Sequence, residues 1–322
     1  MKAIVFERYG SPDVLEFKDV QQPVPKEDEV LIKIAAASVN AADWHLLRAD
    51  PFPVRFMVGL FKPKFHILGC DAAGVVEAVG SKVTRFQIGD KVFADLSVSG
   101  CGAFAEFACA KERLTAAIPD GVSFEDAASI PVSGATALQA LRDNGKVGPG
   151  MTVLINGASG GVGTFAVQFA KQFGAEVTGV CSTSKMELIR SLGADHVIDY
   201  TKEDFTTGGK QYDVIMAANG YHPLSAYRRV LKPNGVYVMT GGKMQQMTEA
   251  MTKGPILSMI GGQKMGNHMS NPNHKDLALI AEMVASGKVK PVIDRRYPLS
   301  GTADAIRYIE EGHATGKIII SM

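Results

Sequence analysis

The sequence predicts an α/β protein of two lobes, a compact β-rich barrel followed by a doubly wound parallel sheet, and three observations carry that prediction. Residues 151–171, MTVLINGASGGVGTFAVQFAK, run from a β-branched stretch through a glycine-rich turn into apolar residues at helical spacing. Before them lie short strand-like runs divided by Gly, Pro and Asp, and after them helix and strand patterns alternate. The length, 322 residues with 46% hydrophobic content, supplies a core for each of two domains.

In the first lobe, residues 1–122, the strand candidates are KAIVF, VLEFKDV, EVLIKIAAASV, AGVVEAV, DKVFADL and GAFAEFACA. The second, residues 123–269, offers strands at 152–156, 176–180, 196–198, 213–217 and 236–240 and helices at 136–142, 162–173 and 185–192. Gly193 stops the last of these helices where a C′ glycine is favoured, and Asn234 and Gly235 turn into the fifth strand. Residues 270–322 open with a helix at 275–286 and continue as the strands KPVIDRRYPL and GKIIIS. Methionines crowd residues 239–269, and because thioethers fill irregular apolar space they are expected in an adaptable core or a subunit contact, with a share in a permissive substrate pocket as the alternative.

Net charge is +1 with Lys and Arg scattered, so no polyanion partner is expected and nucleic-acid binding is not indicated. No apolar run approaches the roughly 20 residues that span a bilayer. Cys70, Cys101, Cys109 and Cys181 form no CxxC pair, and residues 1–6 run directly into Glu7 and Arg8 without an apolar signal segment. A reducing, cytoplasmic setting is the expectation.

The glycine turn reads AxGxxG, with Ala158 in the place of the usual first glycine, followed by Gly160, Gly161, Val162 and Gly163. With a strand before it, a helix after it and a second strand within about 30 residues, it has the outline of a Rossmann βαβ unit that lays a pyrophosphate on a helix N-terminus. At the end of the second strand an NAD enzyme needs a carboxylate for the ribose 2′-hydroxyl; this chain has Cys181, Ser182, Thr183, Ser184 and Lys185. Hydroxyls and an ammonium suit a 2′-phosphate, so NADPH is the expected cofactor. Ser182 or Thr183 capping the following helix is the alternative, and the two roles are compatible. Asn219, with Gly220, and the pair Gly241 and Gly242 follow the fourth and fifth strands, the edge at which open α/β sheets bind ligands.

Together, NGASGGVGTFAVQFAK, GCDAAGVVEAVG at 69–80, GDKVFA at 89–94, IPVSGATALQAL at 130–141, GADHVIDY at 193–200 and HATGKIII at 313–320 resemble the medium-chain dehydrogenase/reductase superfamily. The likeness is greatest to its zinc-free quinone and enone oxidoreductase branch. It implies a GroES-like substrate lobe, a return of residues 270–322 onto that lobe, an active-site cleft between the lobes and a homodimer. It also implies that Tyr200 packs against the 2′-phosphate, that Thr136 opens a helix beside the nicotinamide, and that Lys317 lies on the cofactor side. For Lys317 a solvated basic residue is the alternative.

Zinc alcohol dehydrogenases of this superfamily carry a Cys, a His and a third Cys or Asp as catalytic ligands. Here the matching places hold Asn40, Cys70 and the segment 130–133, which has no Cys, His or acid, and the four cysteines of a structural zinc lobe are absent. No metal is expected, with His45, His66 and Cys70 as an unorthodox alternative. Lacking a Lewis acid, the protein is expected to serve acceptors that are already electrophilic. Asn40, Asp43 and His45, in SVNAADWHLLRAD, match the family's NPxDxxxR motif, with Ala41 for its proline and His45 where similar enone oxidoreductases have lysine. They are the catalytic candidates, His45 as a donor to the developing oxyanion. Alternatively, Asp43 and Arg48 order the loop and Trp44 is a lid or core aromatic.

The function so implied is NADPH-dependent hydride transfer to quinones or α,β-unsaturated carbonyls. An NADPH-binding crystallin-like protein with an RNA-binding or structural role, and a zinc-dependent alcohol dehydrogenase, are the competing readings. The acceptor itself depends on loops near 52–64 and 244–269.

Overall fold

The computed structural model describes residues 1–52 and 54–322; Pro53, within the loop assigned to the acceptor, lies outside the described residues. The chain forms, in order, β1 (Lys2–Val5), β2 (Glu16–Asp19), β3 (Glu29–Val39), α1 (Ala41–Arg48), α2 (Val54–Val58), β4 (Asp71–Val79), β5 (Lys91–Asp95), β6 (Phe107–Lys111), β7 (Thr115–Ala117), α3 (Phe124–Ser129) and α4 (Pro131–Gln139). It continues through β8 (Thr152–Asn156), α5 (Gly161–Gln172), β9 (Glu176–Cys181), α6 (Met186–Ser191), β10 (His196–Asp199), β11 (Tyr212–Ala217), α7 (Leu224–Arg229), β12 (Leu231–Met239), α8 (Met244–Met259) and β13 (Lys264–Asn267). The last elements are α9 (His274–Ala285), β14 (Ile293–Pro298), α10 (Thr302–Glu310) and β15 (Lys317–Ser321).

Two compact units result, one of Met1–Ala135, Pro272–Gly287 and Ile293–Met322, the other of Thr136–Asn271 and Lys288–Val292. Residues 123–135, read from the sequence as the opening of the dinucleotide lobe, belong to the first unit because α3 packs on β3, β4 and β15.

In the first unit the sheet order is β14-β15-β3-β4-β5-β7, with β6 also on β3. β3 serves three partners because register shifts at Leu31/Ile32 and Ile34/Ala36 bend it. Its first half pairs with β6 and its second half with β15. β4 and β15 both run antiparallel to β3, so the beginnings of β4 and β15 lie beside the end of β3. That corner assembles the polar site described below. Ile4, Phe6, Val30, Ile32, Leu47, Leu68 and Phe104 are among the residues that fill the core behind it.

The second unit carries a six-stranded, all-parallel sheet of order β10-β9-β8-β11-β12-β13, the doubly wound arrangement. Several elements differ from the sequence reading. Asn234, at φ 64°, sits inside β12 where the register with β11 shifts, so the expected turn is a bulge in a longer strand. Residues 244–259 form α8 despite Pro255, and β13 adds a sixth strand after it. Of the methionines in this stretch Met265 is buried, whereas Met251, Met259 and Met269 are exposed.

Candidate active site

The end of β3 and the beginnings of β4 and β15 deliver polar side chains into an apolar interior. Lys317, first residue of β15, is 2% exposed, so the solvated reading of this lysine is wrong. Its Nζ donates to Asn40 Oδ1 at 2.6 Å, to Asp71 Oδ2 at 3.1 Å and to Ser133 Oγ at 3.2 Å, which accounts for all three ammonium hydrogens. The Asp71 carboxylate also accepts from Asn40 Nδ2 (2.9 Å), Ser38 Oγ (2.5 Å) and the Val132 amide (3.0 Å). A lysine and an aspartate buried among aliphatic strands persist only when paired and fully hydrogen-bonded, and these are.

Asn40 is the N-cap of α1, and Asp43 closes the capping box by accepting from the Asn40 amide at 2.7 Å. The other Asp43 oxygen accepts from the Gly69 amide at 3.0 Å. Asp43 is fully buried, and burial drives its carboxyl up to about 7. Both oxygens are committed to backbone donors, so Asp43 orients Asn40 and the segment before β4.

His45 lies on the same helix but outside this cluster. Its Nδ1 is 2.7 Å from the Asp50 carbonyl, and its ring stacks on Trp44 at 3.6 Å between centroids. A carbonyl only accepts, so Nδ1 carries the proton. Nε2 is then an acceptor in the neutral ring and becomes a donor only in the imidazolium. Arg48 pairs with Glu310 of α10 and orders the helix pair.

The chemistry of the donor set decides whether this corner could hold a metal ion. Asn40 presents an amide whose oxygen and nitrogen are both hydrogen-bonded within the cluster, and Ser133 contributes a hydroxyl bound to Lys317. Cys70 Sγ faces Cys101 Sγ at 3.1 Å. These groups do not make the thiolate and imidazole set of a catalytic zinc site. His66, the other alternative ligand, has its Nδ1 on the Phe6 carbonyl at 3.1 Å.

In the second unit the glycine turn lies between β8 and α5. A Cβ at Gly163 would fall 2.1 Å from the Gly157 carbonyl, and one at Gly157, whose φ is +84°, 2.7 Å from Asn219. At Gly160, the N-cap of α5, a Cβ would meet only the Gly157 carbonyl, at 3.7 Å, and no side chain caps the helix. This open cradle in front of the first helical N–H groups, of Gly161, Val162 and Gly163, fits a pyrophosphate.

Neighbouring turns close on it. The Ala158 amide donates to Val180, and Cβ atoms at Gly241 and Gly242 would fall 2.6 and 2.7 Å from the carbonyls of Ala218 and Gly220. Ala158, Asn219, Gly241 and Gly242 are thereby brought to one edge of the sheet. Thr136 does not open a helix; α4 begins at Pro131, which suits a first turn, and Thr136 sits inside it.

After β9 the chain makes a single turn of 3₁₀ helix, Thr183–Lys185, before α6, and neither Ser182 nor Thr183 caps it by a side-chain bond. Thr183 instead donates its hydroxyl to Asp199 at the end of β10. Asp199 also accepts from Thr201 Oγ (2.7 Å) and the Thr201 amide (3.0 Å), and these donors hold its carboxyl down at about 2. The acid beside the turn at 182–185 thus faces Thr183 and Thr201. Tyr200, next in the chain, is exposed.

Sequence reasoning missed Asp71, Ser133 and Asp199. A signal existed for the first: an acid opening the apolar run DAAGVV needs a cation, and the lysine opening KIII needs an anion.

Residues 26–120 match the alcohol dehydrogenase GroES-like domain and residues 192–320 the zinc-binding dehydrogenase domain. The chain is 39% identical, over 334 aligned positions, to a chloroplast envelope quinone oxidoreductase homolog of Arabidopsis thaliana, covering 99% of this chain and 98% of that protein. It is 35% identical to the chloroplastic NADPH-dependent alkenal/one oxidoreductase of the same plant, covering 99% and 79%. Among solved structures, the quinone oxidoreductase of Coxiella burnetii superposes with a TM-score of 0.89 at 29% identity, covering 100% and 99% of the two chains. The Escherichia coli quinone oxidoreductase complexed with NADPH gives 0.83 at 25% identity, each chain covered completely. With its GroES-like lobe and parallel dinucleotide sheet, the chain belongs to the medium-chain dehydrogenase/reductase superfamily, in the quinone and enone oxidoreductase branch.

Proposed function

We propose that the protein is an NADPH-dependent reductase of quinones or α,β-unsaturated carbonyls that works without a metal. Support for the cofactor comes from the relatives named for NADPH and from one feature of the fold. β9 ends in Cys181 instead of a carboxylate, and Asp199, the acid beside it, is occupied by Thr183 and Thr201. No carboxylate is offered there to a ribose 2′-hydroxyl. Ser182, Lys185 and Tyr200 hold the 2′-phosphate, while Thr183, its hydroxyl given to Asp199, plays a lesser part. The turn from Ala158 to Gly163 takes the pyrophosphate, with Asn219, Gly241 and Gly242 alongside it, and Thr136 faces the nicotinamide.

Bound NADPH supplies a hydride. For the acceptor the protein provides position and hydrogen bonds, and conjugation spreads the arriving charge onto an oxygen that needs a donor. His45 serves as that donor from Nε2 in its imidazolium form. Asn40 and Lys317, held by Asp43 and Asp71, fix the start of α1, the helix that carries His45.

The observation that carries the metal-free reading is the commitment of Asn40 to Lys317 and Asp71 at the place where zinc enzymes present a thiolate. The experiment is to follow NADPH oxidation with matched quinones, alkenals and cyclic enones, before and after chelation. Turnover with at least one class, unchanged by the chelator, is expected. Zinc bound one per chain, lost together with activity, would overturn the metal-free mechanism.

A further inference from the structure

Cys70 and Cys101 take no part in the chemistry above, yet the main chain brings them together. The Leu96 amide donates to the Cys70 carbonyl (2.7 Å), the Cys101 amide to Leu96 (3.0 Å) and the Ala103 amide to Gly69 (3.0 Å). Cys101 has φ 62°, a left-handed conformation uncommon for a residue with a side chain, and stands between Gly100 and Gly102. The two sulfurs are 3.1 Å apart, about 1 Å more than a disulfide bond. Among the described residues, nothing lies within 4 Å of a Cβ built on either glycine, so the turn has room to close that gap.

We propose that Cys70 and Cys101 form an oxidisable dithiol that closes to an intramolecular disulfide when the protein meets a hydroperoxide. Cys101, half-buried, is the sulfur that meets the oxidant, and Cys70, 1% exposed, is the resolving sulfur. Attack of Cys101 sulfur on the peroxide breaks the O–O bond and gives a sulfenic acid plus water or an alcohol. Cys70 sulfur then attacks the oxidised sulfur, and the displaced hydroxide leaves as water with the Cys70 proton. Two thiols lose two electrons and two protons, and one peroxide takes them up.

The hydrogen bond with Cys101, burial, and the nearby carboxylates of Asp43 and Asp71 hold the Cys70 thiol well above its usual range, so Cys70 is not the first target of the peroxide, and its contact with the Cys101 sulfur is what lets it resolve. Burial pushes Cys109 and Cys181 up to about 11, which lowers their reactivity toward a peroxide. The new bond ties the turn at 97–102 to the residue that precedes Asp71, next to the Lys317 cluster.

The test is to treat the full-length protein with hydrogen peroxide, count free thiols and map peptides without reduction. Free thiols should fall from four to two, with the peptides holding Cys70 and Cys101 joined, and a dithiol reductant should restore all four. Cys109→Ser should keep the cross-link. Cys101→Ser, in a surface turn that tolerates the change, should abolish it. Oxidation of Cys101 to sulfinic acid with Cys70 still free, or full retention of both thiols at a dose that oxidises free cysteine, would overturn the proposal.

Discussion

Lys317 and Asp71 form an ion pair of 3.1 Å in which the side chains are 2% and 0% exposed. The lysine opens β15 and the aspartate opens β4, and the two meet because both strands run antiparallel to the same end of β3. Such a pair fixes an arrangement more than it adds net stability, since desolvating both charges offsets most of their attraction. What the pair fixes here is Asn40, which hydrogen-bonds to both partners.

Removing one charge should therefore cost far more than removing both. Lys317→Met, which strands the Asp71 carboxylate, is expected to lower unfolding stability by about 3–5 kcal/mol. Combining it with Asp71→Asn should recover much of that loss in denaturant unfolding. Equal losses in the single and double variants would show that the two charges are uncoupled.

Burial holds the Asp95 carboxyl up at about 6 against an ordinary 3.8. The folded state binds this proton more tightly than the unfolded chain, so the associated stability is complete below about pH 4 and is lost as pH rises to about 6. Asp95→Asn keeps an acceptor for the Ser97 amide and removes the titration. Wild type should lose on the order of 2–3 kcal/mol more than Asp95→Asn between those limits, as read by unfolding at each pH. Parallel pH profiles would refute the assignment.

The cofactor reading predicts tighter binding of NADPH than of NADH. Lys185→Glu should remove roughly ten- to a hundredfold of NADPH affinity, the worth of one charge-assisted contact, while leaving NADH nearly unchanged. Fluorescence titration of both nucleotides decides it; equal affinities in the unmodified protein would sink the reading.

With Nδ1 of His45 on the Asp50 carbonyl, donation from Nε2 requires the imidazolium. His45→Ala should lower turnover roughly tenfold or more while NADPH affinity changes little, because the oxyanion exists only along the reaction path. Unchanged turnover would remove the histidine from the mechanism and leave the rest of it standing.

The parallel sheet was legible because β-branched runs, the glycine turn and helical spacing all agree from Thr152 to Gln172. Less legible was α8, where Gly254 and Pro255 interrupt the pattern and tertiary packing against β13 overrides them. At the site, Asn40 and Lys317 were found as separate motif residues. Their union was not, since register across β3 decides it and a single strand's pattern does not contain its neighbour's register. The bond from Thr183 to Asp199 is likewise absent from the sequence pattern, because Asp199 belongs to another strand.

Isotope transfer tests direct hydride delivery to a conjugated acceptor. NADPH carrying deuterium at the transferable C4 position is given with an enone in ordinary water, and the product is read by NMR. The label is expected on the β-carbon, with solvent hydrogen at the α-carbon. A β-carbon free of label, or a label on the carbonyl carbon of an alcohol product, would contradict conjugate reduction.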